Sequence, residues 1–431
     1  MAQKRTAVLC VAAVMAATLQ TAAAAAATTI TGATAVTTAA TGGAAVTTAA
    51  TGGAAVTGSG RAAGRTCTVT ERPDDARARK VRDIVRQAQK GLGLKAALVR
   101  VTVDGRELVT DGVGESMNGV PATPAMHFRV GSVGIAYLGT VLLQLVDEHK
   151  VSLDDHVSRW LPGLPHGDKI TLRMLGDATS GLHDYVTDPV FVKRLYADPF
   201  RHWTPQEVVG ISTSHPLWYE PGTNWSYSHA DFVLLGTALE KITGTPLDRL
   251  LSERVLGPLG LGETRNGATP EIPQPVLHAY DDERGPYEDA SYWDPSWTTA
   301  PGAVLTSDIC DLARSAQAIG SGELLSHSAF ATQLNPGTVG LGHRTAGCPA
   351  SVCLPQTEVF HFGIGVIVKN GWVLQNPSFA GYAAVQAYQP DGRLAIAVST
   401  TAGPRAANGN TAQTITERIA AALAPHHPLT G

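Results

Sequence analysis

The most informative segment of the chain, residues 128–147, reads FRVGSVGIAYLGTVLLQLVD. Its second part predicts a helix that begins near Ser132, ends near Asp147 and is apolar on nearly every side. A helix of this kind lies in the centre of a large domain, because none of its faces suits water. Its first turn would place the Ser132 hydroxyl beside unpaired backbone N–H groups and the positive end of the helix dipole. We therefore expect Ser132 at the start of a buried central helix.

Upstream of this segment, the sequence predicts one helix followed by two strands. From Asp74 to Gly91, apolar residues recur at helical spacing; they are Val81, Ile84, Val85 and Ala88. Residues 97–103 and 106–110 are strand-like and flank Asp104-Gly105, a dipeptide that favours a tight hairpin turn because both positions tolerate positive φ. The fold is thus expected to open as helix, strand, strand.

Downstream, residues 152–330 alternate short helical patterns with Pro- and Gly-rich connections, which indicates a mostly helical lobe. Strand-like runs return at 362–368, 383–388 and 394–399. A terminal helix is predicted by apolar residues at four-residue steps, namely Ile415, Ile419 and Leu423. We predict an α+β fold, in which an antiparallel sheet of the five-stranded type is flanked by helices and the helical lobe is inserted in it.

The first 27 residues have the pattern of a secretory signal peptide. Lys4 and Arg5 give a positive start, residues 6–19 are apolar, and residues 22–27 offer small-residue cleavage options. The alternative is an uncleaved anchor, but the apolar run is shorter than the roughly 20 residues that a membrane span needs. No later segment could span a membrane. We expect a protein that is secreted or associated with the cell envelope.

Residues 28–66 include three near-copies of a ten-residue unit: TGATAVTTAA, TGGAAVTTAA and TGGAAVTGSG. Such a segment has little bulky apolar surface to offset the entropy of ordering, so we interpret it as a flexible linker. It is either a tether through a cell-wall layer or a neutral repeat. The folded domain is then expected to occupy residues 67–431.

Four cysteines follow the predicted signal peptide. An exported location makes disulfide bonds plausible. Cys348 and Cys353 lie in GCPASVC, a stretch short enough to close as a small loop, and we predict a bond between them. Nothing in the sequence supports or opposes a bond between Cys67 and Cys310.

The charge pattern argues against nucleic-acid partners. The 431-residue chain has 33 basic and 37 acidic residues, a net charge of −4, and no long run of either sign. Its 14 histidines show no metal-binding spacing such as His-Glu-x-x-His, so we predict no metal and no cofactor. We expect a monomer.

Four blocks carry a resemblance to a known family. In chain order they are FRVGSVGIAYLGTVLLQLVDEHKVSLDDHVSRWLPG, ITLRMLGDATSGLHDY, YEPGTNWSYSHADFVLLGTALEKITGTPLDRLLSERVLGPLGLGETR and APGAVLTSDICDLARSA. With these blocks, residues 81–423 resemble the penicillin-recognising serine hydrolases, which include β-lactamases, DD-peptidases and carboxylesterases. The resemblance implies a two-lobed fold with a substrate cleft between the lobes.

The usual chemistry of that family is acyl transfer by a serine. It needs a lysine one helical turn after the serine, on the same face, to take the hydroxyl proton. The family also uses a Tyr-x-Asn loop, and a Lys-Thr-Gly or His-x-Gly strand that closes the cleft.

This chain departs from that pattern at all three motifs. Ser132 falls at the nucleophile position, but Ile135 stands where the lysine is expected. The second motif keeps Tyr227 and has His229 in place of asparagine. The third motif reads Gln375-Asn376-Pro377, in which proline removes an N–H from the strand.

Three hypotheses follow. The first is a catalytically impaired protein that binds a cell-wall peptide or related acyl ligand in the inherited cleft without turning it over. In the second, His229 accepts the Ser132 proton directly or through Tyr227. The third is an ordinary active esterase or carboxypeptidase whose base comes from another residue.

The candidate ligand-binding residues are Trp225, Gln375 and Asn376. Trp225 is one of several tryptophans in the predicted helical lobe, together with Trp203, Trp218, Trp293 and Trp297. These residues either line the cleft or pack in the core.

Overall fold

The computed structural model describes Cys67 and residues 75–430. The predicted signal peptide and the predicted linker lie outside the described residues. Within the described part of the chain, no helix combines the length and the apolar character that crossing a membrane requires.

The structure is a mixture of helices and antiparallel strands. The helices are α1 (Ala76–Gly91), α2 (Val133–Asp147), α3 (Leu172–Gly176), α4 (Pro189–Ala197), α5 (Pro205–Thr213), α6 (His229–Thr243), α7 (Leu247–Leu251), α8 (Gly257–Leu259), α9 (Ile309–Ser321), α10 (His327–Leu334) and α11 (Thr411–Leu423). The strands are β1 (Leu94–Val103), β2 (Arg106–Met117), β3 (Val120–Pro121), β4 (Phe128–Arg129), β5 (Arg265–Asn266), β6 (Tyr280–Asp281), β7 (Glu288–Asp289), β8 (Leu305–Ser307), β9 (Phe360–Phe362), β10 (Ile367–Lys369), β11 (Trp372–Gln375), β12 (Ser378–Phe379), β13 (Tyr382–Gln389) and β14 (Leu394–Ala402).

The main sheet has the strand order β3-β2-β1-β14-β13-β11-β10-β9, and β12 pairs with β13. Its pairings are antiparallel. The central strands β13 and β14 are buried along almost their whole length, so both of their faces are covered. The cover comes from α11 and from α9, and α1 packs beside α11 on the neighbouring strands β1 and β2. The fold is therefore α+β, as the sequence predicts.

The hairpin and the central helix predicted from the sequence are confirmed. Asp104 and Gly105 have φ values of 51° and 70°, as a tight turn between β1 and β2 requires. Every residue of α2 is buried except Gln144, Val146 and Asp147. A Cβ atom on Gly134 would lie 2.0 Å from the backbone oxygen of Ala303, which shows how closely the chain packs on this helix.

Two expectations about element bounds differ from the structure. The predicted strand at 362–368 is two strands, β9 and β10, because Gly365 has a φ of +72° and its flanking residues turn. The predicted helical lobe at 152–330 includes α9, yet α9 packs on β13 and β14 of the sheet. Apolar spacing shows that a helix has a buried face, but it does not show which layer covers that face.

Candidate active site

A cavity brings together most of the residues predicted from the sequence. Ser132, Tyr227, His229, Gln375 and Asn376 all line it. They come from the start of α2, the start of α6 and the end of β11. The resemblance therefore identifies parts of the chain that are distant in sequence and adjacent in space.

Ser132 lies in a tight turn immediately before α2. It is the N-cap residue, but its side chain makes no capping hydrogen bond, so the hydroxyl is not committed to its own helix. The preceding Gly131 has a φ of +41°, and a Cβ atom there would lie 2.8 Å from Cε1 of Phe379 and 3.1 Å from Cβ of Pro377. Glycine thus allows the serine turn to pack directly against the segment that follows β11.

The helix face beside Ser132 is apolar. Ile135, one turn along, is completely buried. A Cβ atom on Gly365 would lie 2.5 Å from the backbone oxygen of Ile135, so the β9–β10 turn packs on this helical turn. Among the described residues that line the cavity, Lys369 is the one lysine or arginine, and its ammonium pairs with Glu417 at 3.8 Å.

Tyr227 supplies a polar group next to the serine. Its phenol lies next to the Ser132 side chain, and burial raises its pKa well above the ordinary value, an effect that the interaction with Ser132 only partly offsets. The next residue, Ser228, holds the loop in place: its Oγ accepts from the N–H of Ala230 and donates to the oxygen of His183. Because burial raises its pKa, Tyr227 stays a neutral phenol at neutral pH.

His229 is oriented by a carboxylate. Its Nδ1 lies 3.0 Å and 3.1 Å from the two carboxylate oxygens of Asp184, and its backbone N–H donates to the same carboxylate at 3.2 Å. Asp184 also accepts from the N–H of Val186. Both side chains are almost fully buried and line the cavity. A carboxylate at Nδ1 favours the tautomer with a proton there, which leaves Nε2 as an acceptor.

The imidazole of His229 also contacts the tyrosine. The ring centroids of Tyr227 and His229 are 5.0 Å apart, with the rings nearly perpendicular. Ser132, Tyr227, His229 and Asp184 thus form a continuous chain of contacts along one side of the cavity. Such a chain can orient a hydroxyl and hold a proton acceptor near it.

The end of β11 forms another side of the cavity. Gln375 donates from Nε2 to the oxygen of Gly365 at 2.7 Å, so its side chain is tied to the β9–β10 turn. The backbone oxygens of Asn376 and Pro377 accept from Nδ2 of Asn410 at 2.7 Å and 3.0 Å. These bonds fix the segment, and Pro377 offers no N–H to a ligand.

Trp225 is the one predicted ligand-binding residue that the structure does not bring to the cavity. It is completely buried, and its Nε1 donates to the backbone oxygen of Asp177. Its ring lies 5.8 Å from that of Phe362, which does line the cavity, so Trp225 packs behind the wall. Trp218 and Trp297 are the tryptophans that line the cavity itself.

A small disulfide loop closes one edge of the cavity. The structure joins Cys348 to Cys353, and Ser351 and Val352 within that loop line the cavity. Asn224 holds the neighbouring backbone: its Oδ1 accepts from the N–H of Gly342 at 2.7 Å.

A second disulfide bond joins Cys67 to Cys310. Cys67, Cys310 and Asp308 also form the one group of at least three candidate metal ligands in the described part of the chain. The two sulfur atoms are bonded to each other, so they are not free to hold an ion.

Sequence reasoning did not find every residue of the cavity. Asp184 caps the short helical turn at Tyr185–Thr187, and it also orients His229. Lys369 and Glu417 carried no local signal, because each is a single charged residue, one on the short strand β10 and the other on the terminal helix α11. Only the folded chain brings these side chains to one cavity.

An antiparallel sheet flanked by helices, with a serine-headed buried helix at a cleft, is the architecture of the β-lactamase and transpeptidase fold. Comparison with known proteins agrees. The profile of the β-lactamase family matches residues 81–420, and the chain belongs to this family.

Individual relatives are similar over parts of the chain. The E. coli (strain K12) protein named "Putative D-alanyl-D-alanine carboxypeptidase" is 28% identical over 151 residues, or 34% of this chain and 35% of the relative. The Bacillus subtilis (strain 168) protein named "Putative penicillin-binding protein PbpX" is 26% identical over 247 residues, or 56% of this chain and 60% of the relative. The matches thus span about a third to three fifths of the length of these curated relatives.

A solved structure covers more of the chain. The D-stereospecific amidohydrolase from Streptomyces sp. is 26% identical, with a TM-score of 0.68 over 82% of this chain and 99% of that protein. This chain is therefore a β-lactamase-fold protein related to carboxypeptidases and amidases that act as hydrolases.

Proposed function

We propose that this protein binds a short peptide or related acyl ligand in the Ser132 cavity, and that the acyl transfer usual in its family is lost or very weak. One observation carries the proposal: the position one helical turn after Ser132 holds Ile135, which is completely buried. The serine therefore lacks an amine on its own helix face to take its proton.

The remaining groups near the serine do not replace that amine directly. The pKa of Tyr227 is raised by burial, so its phenol keeps its proton and is a poor base. A positioned proton acceptor contributes about 10² to 10⁴-fold to the rate of such a step. Replacement of a cation by isoleucine also removes charge that would stabilise the transition state. The expected result is binding with little turnover.

The ligand class follows from the relatives. Their names refer to D-alanyl-D-alanine carboxypeptidases, penicillin-binding proteins and a D-stereospecific amidohydrolase. We extend this to a cell-wall-derived peptide as the ligand, bound by a monomer that works outside the cytoplasm. Two disulfide bonds support an oxidising location.

A second candidate function rests on the Asp184–His229 pair. With Nδ1 held by the carboxylate, His229 presents an acceptor in the wall that also contains Tyr227 and Ser132. A proton could pass from Ser132 through the Tyr227 phenol to this imidazole, which would make the protein a slow esterase or carboxypeptidase.

Two measurements separate these candidates. The first is labelling by a fluorescent penicillin, which forms a stable covalent adduct only if Ser132 attacks. The second is hydrolysis of a short-chain ester by the wild type, Ser132→Ala and His229→Ala. The proposal expects no adduct and equal, background hydrolysis in all three proteins. An adduct on Ser132, or hydrolysis that falls in both variants, would contradict it and support the second candidate.

A further inference from the structure

The cavity has a charged end that the acyl-transfer motifs do not include. Lys369 on β10 and Glu417 on α11 both line the cavity, and their side chains remain about one-fifth and one-quarter exposed. Lys369 pairs in register with Trp372, three residues before Gln375. Since a strand rises about 3.3 Å per residue, this end lies on the order of 10 Å along β11 from the Gln375 end.

The ion pair between these residues is loose. Nζ of Lys369 lies 3.8 Å from Oε1 of Glu417, beyond the roughly 2.7–2.9 Å of a close charge-assisted hydrogen bond. Glu417 Oε1 already accepts from Nε2 of Gln413 at 3.1 Å. The glutamate is thus partly satisfied by a neutral donor, while the ammonium, with three N–H groups, keeps capacity to donate.

The surroundings strengthen any charge interaction at this end. Apolar side chains of Phe360, Ile367 and Leu374 line the cavity beside Lys369. Apolar walls lower the local dielectric, and a charge-assisted bond formed there is stronger than one on the open surface. Among the described cavity-lining residues, Lys369 is also the one lysine or arginine, so an anionic group entering the cavity has a single cation to bind.

We propose that Lys369 binds a carboxylate of the ligand, and that Glu417 weakens this binding by competing for the same ammonium. The inference rests on the proposed function, because it assigns a chemical class to the ligand of that cavity: a short peptide or acylated amino acid with a free carboxylate. Lys369 is then a specificity-determining residue, and it takes no part in chemistry at Ser132.

A matched pair of probes tests this assignment. The probes are Nα-acetyl-D-alanyl-D-alanine and its C-terminal amide, which has the same size but no charge. Binding is measured by calorimetry and by the fluorescence of Trp218 and Trp297, both of which line the cavity. The expected result in the wild type is tighter binding of the acid than of the amide, by about tenfold.

Three variants sharpen the test. Lys369→Met is expected to weaken binding of the acid about tenfold and leave binding of the amide unchanged, and Lys369→Arg to retain the preference. Glu417→Gln is expected to tighten binding of the acid several-fold, because the ammonium loses its competitor. Lys169→Met is the matched control, since Lys169 forms an ion pair with Glu220 and is not among the residues lining the cavity.

The outcomes separate the two proposals. Equal binding of acid and amide by the wild type overturns the carboxylate site and leaves the proposed function standing. Binding of neither probe overturns both. If Lys369→Met binds neither the acid nor the amide, or if Glu417→Gln binds the acid more weakly than the wild type does, the ion pair has a structural role. Either result also overturns the inference.

Discussion

Two walls of the cavity differ in their chemistry. The α2 wall, made by Ser132 and Ile135, has a hydroxyl followed by a buried hydrocarbon side chain. The α6 wall, made by Tyr227, His229 and Asp184, has a phenol, an imidazole and a carboxylate linked by contacts. In the family that the chain resembles, serine and base belong to one helix. Here the serine is on one wall, and the groups that could accept a proton are on the other.

The position of Ser132 and the chemical groups around it depend on different parts of the chain. Ser132 lies at the start of a buried helix, and the next turn of that helix is apolar. The position of the serine therefore depends on the packing of the apolar faces of α2 and requires no charged group on the next turn. The two walls can be changed one at a time, which makes the comparison testable.

The largest expected effect comes from placing a cation on the α2 wall. Ile135→Lys would place an amine one turn from Ser132 on the same helix face. We expect the rate of labelling by a fluorescent penicillin to exceed the background rate of the wild type by about 10² to 10⁴-fold, the usual contribution of a positioned base. The rate of adduct formation, followed on a gel, measures it.

Two controls accompany this variant. Ile135→Met tests the effect of altered packing alone, and the double variant with Ser132→Ala shows whether the adduct is on the serine. Thermal unfolding is recorded for each, because an isolated buried ammonium is costly. If the Ile135→Lys protein folds but is not labelled, then the end of β11, and not the α2 wall, is what prevents reaction with penicillin.

The next effect concerns the α6 wall. Asp184→Ala removes the acceptor for Nδ1 of His229 and for two backbone N–H groups, those of Val186 and His229. We expect a loss of about 3 kcal/mol in the free energy of unfolding, because buried donors are left without partners. Urea unfolding measures it. Asp184→Asn keeps one acceptor oxygen and should lose less; an Asp184→Ala variant as stable as the wild type would show that the carboxylate is not what orders this wall.

The contrast between the walls also explains what the sequence could predict. Ser132 and its helix are visible because both depend on local pattern: apolar spacing, and a start marked by the Gly131-Ser132 turn. The hairpin at Asp104-Gly105 is local in the same way. Tyr227, His229 and Gln375 could be placed through the resemblance, since each lies within an ordered block or strand.

What could not be predicted depends on pairs that are distant in sequence. Asp184 and His229 are 45 residues apart, and a helix cap explains the aspartate equally well. For Trp225, the sequence left open whether the side chain lines the cleft or packs in the core. The alternation of buried and exposed side chains in a loop has no fixed period, so only the structure shows that Trp225 faces the core. Gly365 breaks the strand predicted at 362–368 because the turn must pass close to α2.

A smaller effect is expected from the disulfide loop at the edge of the cavity. Breaking the bond between Cys348 and Cys353 by a double change to serine should lower the free energy of unfolding by about 2 kcal/mol, as the chain-entropy relation gives for so short a loop. Because Ser351 and Val352 line the cavity, probe binding should weaken as well. Calorimetry of the acetyl-dipeptide checks this. Unchanged affinity with reduced stability would show that the loop closes the cavity without shaping it.

The smallest effect concerns the support behind the α6 wall. Asp177 is buried next to Trp225, its carboxylate accepts from Thr179 Oγ1 at 2.6 Å, and burial raises its pKa to about 7. In the unfolded chain the pKa is about 3.9, so the native state binds more protons between these values. The stabilising contribution of the protonated carboxyl is complete below pH about 4 and is lost as the pH rises through about 7.

Asp177→Asn should therefore reduce the pH dependence of stability. Asparagine keeps an oxygen for Thr179 but does not titrate. Between pH 5.5 and 6.5, we expect the free energy of unfolding of the wild type to fall by about 1 kcal/mol more than that of the variant. Urea titrations at several pH values measure the difference, and Asp83→Asn, at an exposed carboxylate, is the control. If the free energy of unfolding has the same pH dependence in the wild type and in Asp177→Asn, the carboxyl of Asp177 is ionised in the folded protein. The support behind the α6 wall would then depend on a charge, and not on the neutral hydrogen bond that we infer.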